Sequence, residues 1–263
     1  MNKNFISYAV SHRGVVRELN EDAYIELNKY NIWVVADGMG GHEAGDFASQ
    51  LVVDVIKAEV EELPASLIST EMLIKAIKSA NTKLLEYSSD FLGNKTAGTT
   101  VTVLFFKDNK YSAIWVGDSR IYLYRSNALL QLSRDHSQIN DLIDEGLLTE
   151  QEAINHPLAN VITRAVGVQN ELSVDCVEGD LLTDDIFLLC SDGLTGELSD
   201  SEISIALGPK NIIDSGMALI HSTLVRGARD NVTFILVKNE ESDKSNNKKL
   251  VNDDLTVPLL LSK

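Results

Sequence analysis

Five aspartates carry the chemistry this chain could do. Asp37 closes Val34-Val35-Ala36-Asp37-Gly38, Asp118 closes Trp115-Val116-Gly117-Asp118-Ser119, and Asp192 closes Leu189-Cys190-Ser191-Asp192-Gly193. Asp230 stands just ahead of a last apolar run, and Asp22, after Asn20-Glu21, precedes the first of these strands. One acid where a strand runs out is ordinary turn chemistry. Five, spread over about 200 residues, look like carboxylates that a fold gathers in one place. Gathered carboxylates repel one another and are costly to strip of water. A hard divalent cation relieves both problems, and oxygen-only ligands favour magnesium, manganese or calcium over zinc or copper.

The elements that must position these acids follow from hydrophobic spacing. Residues 5–10 and 22–27 have strand character, and 31–37 is apolar on both faces, as a buried strand is. After the glycine-rich turn Gly38-Met39-Gly40-Gly41, a helix is expected from about 44 to 61, with Ala44, Ala48, Leu51, Val52 and Val55 as its stripe. A second helix covers 70–88, where Leu73, Ile77, Ala80, Leu84 and Tyr87 share one face. Strands at 99–106, 111–116 and 121–125, separated by short turns, predict an antiparallel meander that 129–132 continues. Residues 133–160 are polar and acidic and read as a surface excursion of short helices ending near His156-Pro157. Strands resume at 172–177 and 185–191. Helices follow at 200–207 and 211–225, the latter with Ile213, Met217, Ile220 and Leu224 in register, and 232–237 is the last strand. The domain is expected to end near residue 239, with a polar, disordered tail to 263. The whole predicts an α+β domain of the layered α/β/β/α kind, since the strict βαβ alternation of a parallel sheet is missing.

Composition sets the outer limits. A chain of 263 residues, 44% hydrophobic and 24% charged, suits one large domain, or at most two small ones, with a core that needs no staples. Cys176 and Cys190 form no metal-binding cluster and read as core or semi-buried thiols in a reducing compartment. The formal charge of −16 argues against nucleic acid or an anionic membrane as the main partner. The N-terminus has no apolar secretory stretch and no run approaches a membrane span, so a cytosolic protein is the expectation; a monomer is expected as well.

Seven short motifs occur in order: Arg17-Glu18-Leu19-Asn20-Glu21-Asp22-Ala23, Ala36-Asp37-Gly38-Met39-Gly40-Gly41-His42, Gly98-Thr99-Thr100, Val116-Gly117-Asp118-Ser119-Arg120, Asp135-His136-Ser137, Ser191-Asp192-Gly193-Leu194 and Arg229-Asp230-Asn231-Val232. Any one is weak alone. Together, over residues 7–238, the chain resembles the bacterial PPM (type 2C) metal-dependent serine/threonine protein phosphatases. Its opening strand context looks like the members associated with type VI secretion. The resemblance implies a four-layer sandwich of two antiparallel sheets flanked by helices, with Mn²⁺ or Mg²⁺ at one end between the sheets.

It also implies roles. Asp37 would bridge two ions and the Gly38 carbonyl would complete one site. Asp192 and Asp230 would hold the second ion. Asp22 would act through metal-bound water or as a longer-range ligand, with Glu21 beside it. Asp118 would join Asp192 at a weaker third site. Arg17 matches the family's phosphate-binding arginine, whose fork suits two phosphate oxygens better than a lysine would. Phosphoserine and phosphothreonine would be hydrolysed by direct attack of a hydroxide bridging the two ions, in opposition to a eukaryotic-like kinase. The animal enzymes carry a histidine directly after the Asp-Gly pair; here Met39 stands there. His42 is the nearest substitute as catalytic acid, with metal-bound water as the alternative.

Blander readings stand beside these. Asp118 could be a turn residue or a partner for Arg120, and Arg17 a surface arginine. Arg120, His12 and His136 read as structural, Arg164 as an anchor for the excursion, and Trp33 and Trp115 as core. The excursion resembles the family's flap, whose acids would select phosphopeptides by charge. In the tail, Asp253-Asp254-Leu255-Thr256 would, once phosphorylated, suit a phosphothreonine-reading FHA-type domain. The rivals to an enzyme of this class are a pseudophosphatase that senses a partner and a two-metal nuclease, the latter disfavoured by the charge.

Overall fold

The computed structural model describes residues 4–40, 43–93, 96–153, 156–158, 161–209 and 211–240. The tail with Thr256, and His42, lie outside the described residues.

Strands gather into two antiparallel sheets. The first contains β1 (Asn4–His12), β7 (Arg120–Arg125), β8 (Ala128–Gln131), β10 (Ile186–Cys190) and β11 (Val232–Glu240), in the order β1-β11-β10-β7-β8. The second contains β2 (Asp22–Leu27), β3 (Ile32–Met39), β5 (Val101–Lys107), β6 (Lys110–Val116) and β9 (Asp175–Asp180), in the order β2-β3-β5-β6-β9. The two-residue β4 (Gly98–Thr99) caps the end of β3. Helices α1 (Glu43–Glu61) and α2 (Thr70–Phe91) cover the second sheet. Helices α5 (Asp192–Thr195), α6 (Asp200–Leu207) and α7 (Ile212–Val225) lie against the first. Helices α3 (Gln138–Asp144) and α4 (Glu150–Ala153) belong to the polar excursion.

Strand parity explains the layers. Along β3, Ile32, Val34 and Ala36 join the core beneath α1 and α2, whereas Trp33 and Val35 join the core between the sheets with Phe187, Leu189 and Ile235. A strand buried on both faces shows no polar alternation, which is why 31–37 is apolar throughout. Trp115 is buried as well as Trp33. The expected four-layer α/β/β/α sandwich is the fold observed. Among the described residues, no helix is long and apolar enough to cross a membrane.

Four local expectations are corrected. The meander is two hairpins in different sheets: β5 pairs β6 and β7 pairs β8. The chain changes sheets at Gly117-Asp118-Ser119, where Gly117 has φ +106°, a conformation that releases the backbone from the ladder. The strand placed at 172–177 is β9 at Asp175–Asp180; Leu172 is apolar because it packs beneath α2, outside any ladder. The buried face of α7 is Ile212, Ser215, Gly216, Leu219 and Thr223, with Ile213 and Met217 more than half exposed. Gly216 lies against the ring of Tyr8, where a Cβ would be 2.3 Å from it. Small polar positions let the helix approach the sheet, and of the expected stripe Ile220 and Leu224 pack against the core while Ile213 and Met217 face outward. Finally, Asp192–Thr195, for which no helix is expected from the sequence, forms a helical turn.

Candidate metal centre

Antiparallel pairing brings the acids together. The end of β3 lies beside the start of β2, so Asp22 and Asp37 are direct cross-strand partners. The end of β10 lies beside the start of β11, with the Ser191 N–H donating to the Thr233 carbonyl at 2.9 Å. The end of β6 delivers Gly117-Asp118 to the same edge. By parity Asp37 follows Trp33 and Val35 to the inter-sheet side. A cleft of about 260 Å³ results, lined by Arg17, Glu21, Asp37, Asp118, Asp192 and Asp230 together with Gly38, Met39 and Ile162. Asp22 lies beneath it, 8% exposed.

The backbone is held tightly here. The Asp37 N–H donates to Thr100 Oγ1 at 3.1 Å, and the Asp37 carbonyl accepts from the Thr100 N–H and from Thr99 Oγ1, each at 2.8 Å. Gly38 packs so closely that a Cβ would be 2.1 Å from the Gly45 carbonyl oxygen. Ser191 Oγ donates to Asp22 Oδ2 at 2.9 Å and accepts from the Thr233 N–H at 3.0 Å. Asn231 Oδ1 accepts from the Glu21 N–H at 2.8 Å. Gly117 is fixed by His136, whose Nδ1 accepts the Gly117 N–H at 3.1 Å and whose N–H donates to the Gly117 carbonyl at 2.9 Å.

Electrostatically the cleft is short of positive charge. Burial pushes the Asp22 carboxyl up to about 7, against the opposing hydrogen bonds of Thr233 and Ser191. Burial, then the charges of Asp192 and Asp135, pushes Asp118 up to about 7. Asp37 is held well above the ordinary carboxylate range by burial and then by Asp22, Asp192, Asp118 and Asp230. Asp192 is raised by burial and by Asp230, and Glu21 by burial. Arg17 is the basic residue among those lining the cleft, and its Nη2 donates to Asp230 Oδ2 at 2.6 Å. Arg120 forks onto Asp135, with Nη2 to Oδ2 at 2.7 Å, and acts on Asp118 only as a nearby charge that opposes the upward shift.

Whether these residues suit a cation can be tested on the acids themselves. Glu21 Oε1, Asp22 Oδ1 and Asp118 Oδ1 are buried with no hydrogen-bond partner. Buried carboxylate oxygens left bare are costly, and every donor is oxygen, as a hard divalent ion requires. Among the described residues no three acidic, histidine or cysteine side chains already close to ligand distance around one point. The donor chemistry fits the ions that the resemblance implies.

Of the residues anticipated from sequence, Arg17, Asp37, Gly38, Asp118, Asp192 and Asp230 line one cleft, Asp22 lies beneath it, and His42 lies outside the described residues. No histidine lines the cleft among the described residues. Arg164 donates to Asp175 Oδ1 at 3.2 Å, just beyond the neck of the excursion. Sequence reasoning missed the supporting roles of Ser191, Thr233 and Asn231. The first and last lie inside quoted motifs, beside Asp192 and Asp230, and that adjacency was the available signal.

Known proteins resemble this chain in sequence and in overall fold. The protein phosphatase 2C family profile matches residues 11–216. The serine/threonine phosphatase Stp of Listeria monocytogenes serotype 4b (strain F2365) is 35% identical over 239 residues, which cover 88% of this chain and 95% of that protein. The structure of PppA, described as a key regulatory component of the T6SS in Pseudomonas aeruginosa, superposes with a TM-score of 0.80 at 37% identity over 89% of this chain and 97% of its own. The catalytic domain of the phosphatase PstP, solved in complex with 2 manganese ions, gives 0.81 at 31% identity over 91% of this chain and all of its own. Family profile, overall sequence and overall fold agree, and the chain belongs to the protein phosphatase 2C family of serine/threonine phosphatases.

Proposed function

We propose that this chain is a Mn²⁺- or Mg²⁺-dependent phosphatase that hydrolyses phosphoserine and phosphothreonine by direct displacement, without a phosphoenzyme, in opposition to a eukaryotic-like serine/threonine kinase. The observation that carries the reading is the set of bare, buried carboxylate oxygens in and beneath a cleft whose lining cation is Arg17.

Asp37, the Gly38 carbonyl, Asp192 and Asp230 would hold the two ions, with Asp37 contributing to both. Asp22, below the cleft and tied to Ser191, acts on the site through water. Asp118 and Asp192 also line an adjoining cleft with Arg120, Asp135 and Asn140, which supports a weaker third ion between them. When bound, the ions supply an activated water and neutralise charge on the phosphoryl group. The protein's own part is positioning. Arg17 exchanges Asp230 for two phosphate oxygens, since its side chain is half exposed and its fork suits a phosphate. Thr99 and Thr100 lock the Asp37 backbone, and the Gly38 packing keeps the first site from widening.

The similarity to PppA supports a place among secretion-linked signalling phosphatases; a type VI secretion gene cluster around the gene is the expected setting. The deciding assay is hydrolysis of p-nitrophenyl phosphate and of a phosphothreonine peptide with Mn²⁺. Asp37→Ala and Asp192→Ala are expected to abolish both activities while the protein stays folded. Folded wild-type protein inert with Mn²⁺ overturns the reading, in favour of a binding module on the same fold.

A further inference from the structure

The loop from Arg13 to Leu19 has the wrong composition for a surface loop. Val15 is 62% exposed, Val16 66% and Leu19 50%. Isolated exposed aliphatics are common, but several in one short loop make a patch that calls for a partner. The loop is built to stay in place. Asn231 Nδ2 donates to the Arg13 carbonyl at 2.9 Å and to the Leu19 carbonyl at 2.8 Å, tying its two ends together. The Val15 N–H donates to the Ala228 carbonyl at 2.9 Å. Gly14, at φ +78°, lies against the Asp230 backbone, where a Cβ would be 2.1 Å from the carbonyl oxygen. The patch is thus fastened to the segment that carries Asp230. From its middle, Arg17 reaches back to Asp230 in the cleft.

A phosphorylated side chain that enters this cleft brings its own backbone to the rim. Its sequence neighbours follow at about 3.3 Å per residue of extended chain. Arg17 lines the cleft from the middle of this loop, so the loop is the nearest exposed aliphatic surface in the chain sequence to a phosphoryl group that reaches Arg17. Met39 and Ile162 add apolar surface to the cleft lining. With a formal charge of −16, the protein repels acidic flanks, and aliphatic ones are the flanks this rim can bury.

We infer that Val15, Val16 and Leu19 form a docking patch for the residues flanking the phosphorylated serine or threonine of a polypeptide substrate, and that the enzyme selects aliphatic residues there. The inference rests on the phosphatase reading above.

The test uses the full chain with Mn²⁺ and the triple variant Val15→Ser/Val16→Ser/Leu19→Ser. Three substrates are compared: p-nitrophenyl phosphate, a phosphothreonine peptide with leucine and valine flanks, and one of equal charge with serine and glycine flanks. The wild type is expected to favour the aliphatic peptide by about five- to tenfold in kcat/KM, the scale of burying a few tens of Å² of apolar surface. The variant loses that preference and keeps its activity on p-nitrophenyl phosphate, which has no flanks. A single Val16→Ser variant, least able to disturb folding, shows a partial loss. Wild type active on p-nitrophenyl phosphate but indifferent to flanks overturns the patch alone. Wild type inert on every substrate overturns the phosphatase reading, and the patch with it. A concentration-dependent dimer that the triple variant abolishes, with peptide preference unchanged, also overturns the inference by assigning the patch to a second copy.

Discussion

Replacing Asn231 by alanine tests how the site is held, as distinct from what it holds. The side chain is 5% exposed and makes three hydrogen bonds, two donated to the Arg13 and Leu19 carbonyls and one accepted from the Glu21 N–H. At about 1 kcal/mol net for each, Asn231→Ala costs about 3 kcal/mol, more if the Glu21 N–H stays dry. For a domain of this size about 1 kcal/mol shifts Tm by about 2–4 °C, so a fall of about 6–12 °C is expected in thermal melts. Catalysis should suffer separately. The lost bonds free both ends of the loop that carries Arg17 and loosen Glu21 beside Asp22, so kcat/KM for p-nitrophenyl phosphate is expected to drop about tenfold at a temperature where the variant is folded. Asn231→Asp keeps the shape and the acceptor but loses both donors, and should reproduce most of the kinetic defect. A Tm within about 2 °C of wild type refutes the energetic argument. A large fall in Tm with unchanged kcat/KM refutes the claim that the loop positions Arg17.

The acid cluster predicts an unusual pH response for the metal-free protein. The Asp22 carboxyl is at about 7 when folded, against about 3.9 in an unfolded chain. Folded protein therefore binds more protons between those values, and this contribution, full below about pH 4, is lost as pH rises through 7. Burial lowers the His136 pKa, which acts in the opposite sense, so the informative quantity is wild type compared with Asp22→Asn. Between about pH 5 and 8 the metal-free wild type should lose stability relative to the variant, and saturating Mn²⁺ should help most at the upper end; a difference that is flat or of opposite sign in melts with a chelator refutes this. Gly193→Ala would place a Cβ 1.9 Å from the Asn231 carbonyl oxygen and should cost about 3 kcal/mol or more in denaturant titrations; a neutral result would mean that the β10 and β11 ends are not rigid. His136→Ala removes the acceptor of the Gly117 N–H and should raise the Mn²⁺ concentration for half-maximal activity by about three- to tenfold, whereas an unchanged metal titration would make His136 a purely structural residue.

Most of the elements were legible because their signals are local. The stripe on α1, the fully apolar β3 and the turns between hairpins each follow from which residues must avoid water over a few positions. The misreadings share one cause, a partner distant in sequence. Leu172 is apolar for a core that α1 and α2 provide. The face of α7 turns on Gly216 meeting Tyr8, about 200 residues earlier in the chain. The jump between sheets at Gly117 is invisible to periodicity, because both sides of it are strand.

The sequence by itself determined that five aspartates end or precede buried strands, that their donors are all oxygen, and that the motifs around them occur in the order of one phosphatase family. Those are properties of residue type and spacing. Tertiary structure decided how the acids divide: Asp22 sinks beneath the cleft under Ser191, Glu21 comes to line it, and Arg120 turns away to Asp135. It also decided that Asn231 closes the loop bearing Arg17. Such roles depend on which strand ends meet, and antiparallel pairing of strands far apart in the chain is fixed by long-range packing, on which no local pattern reports.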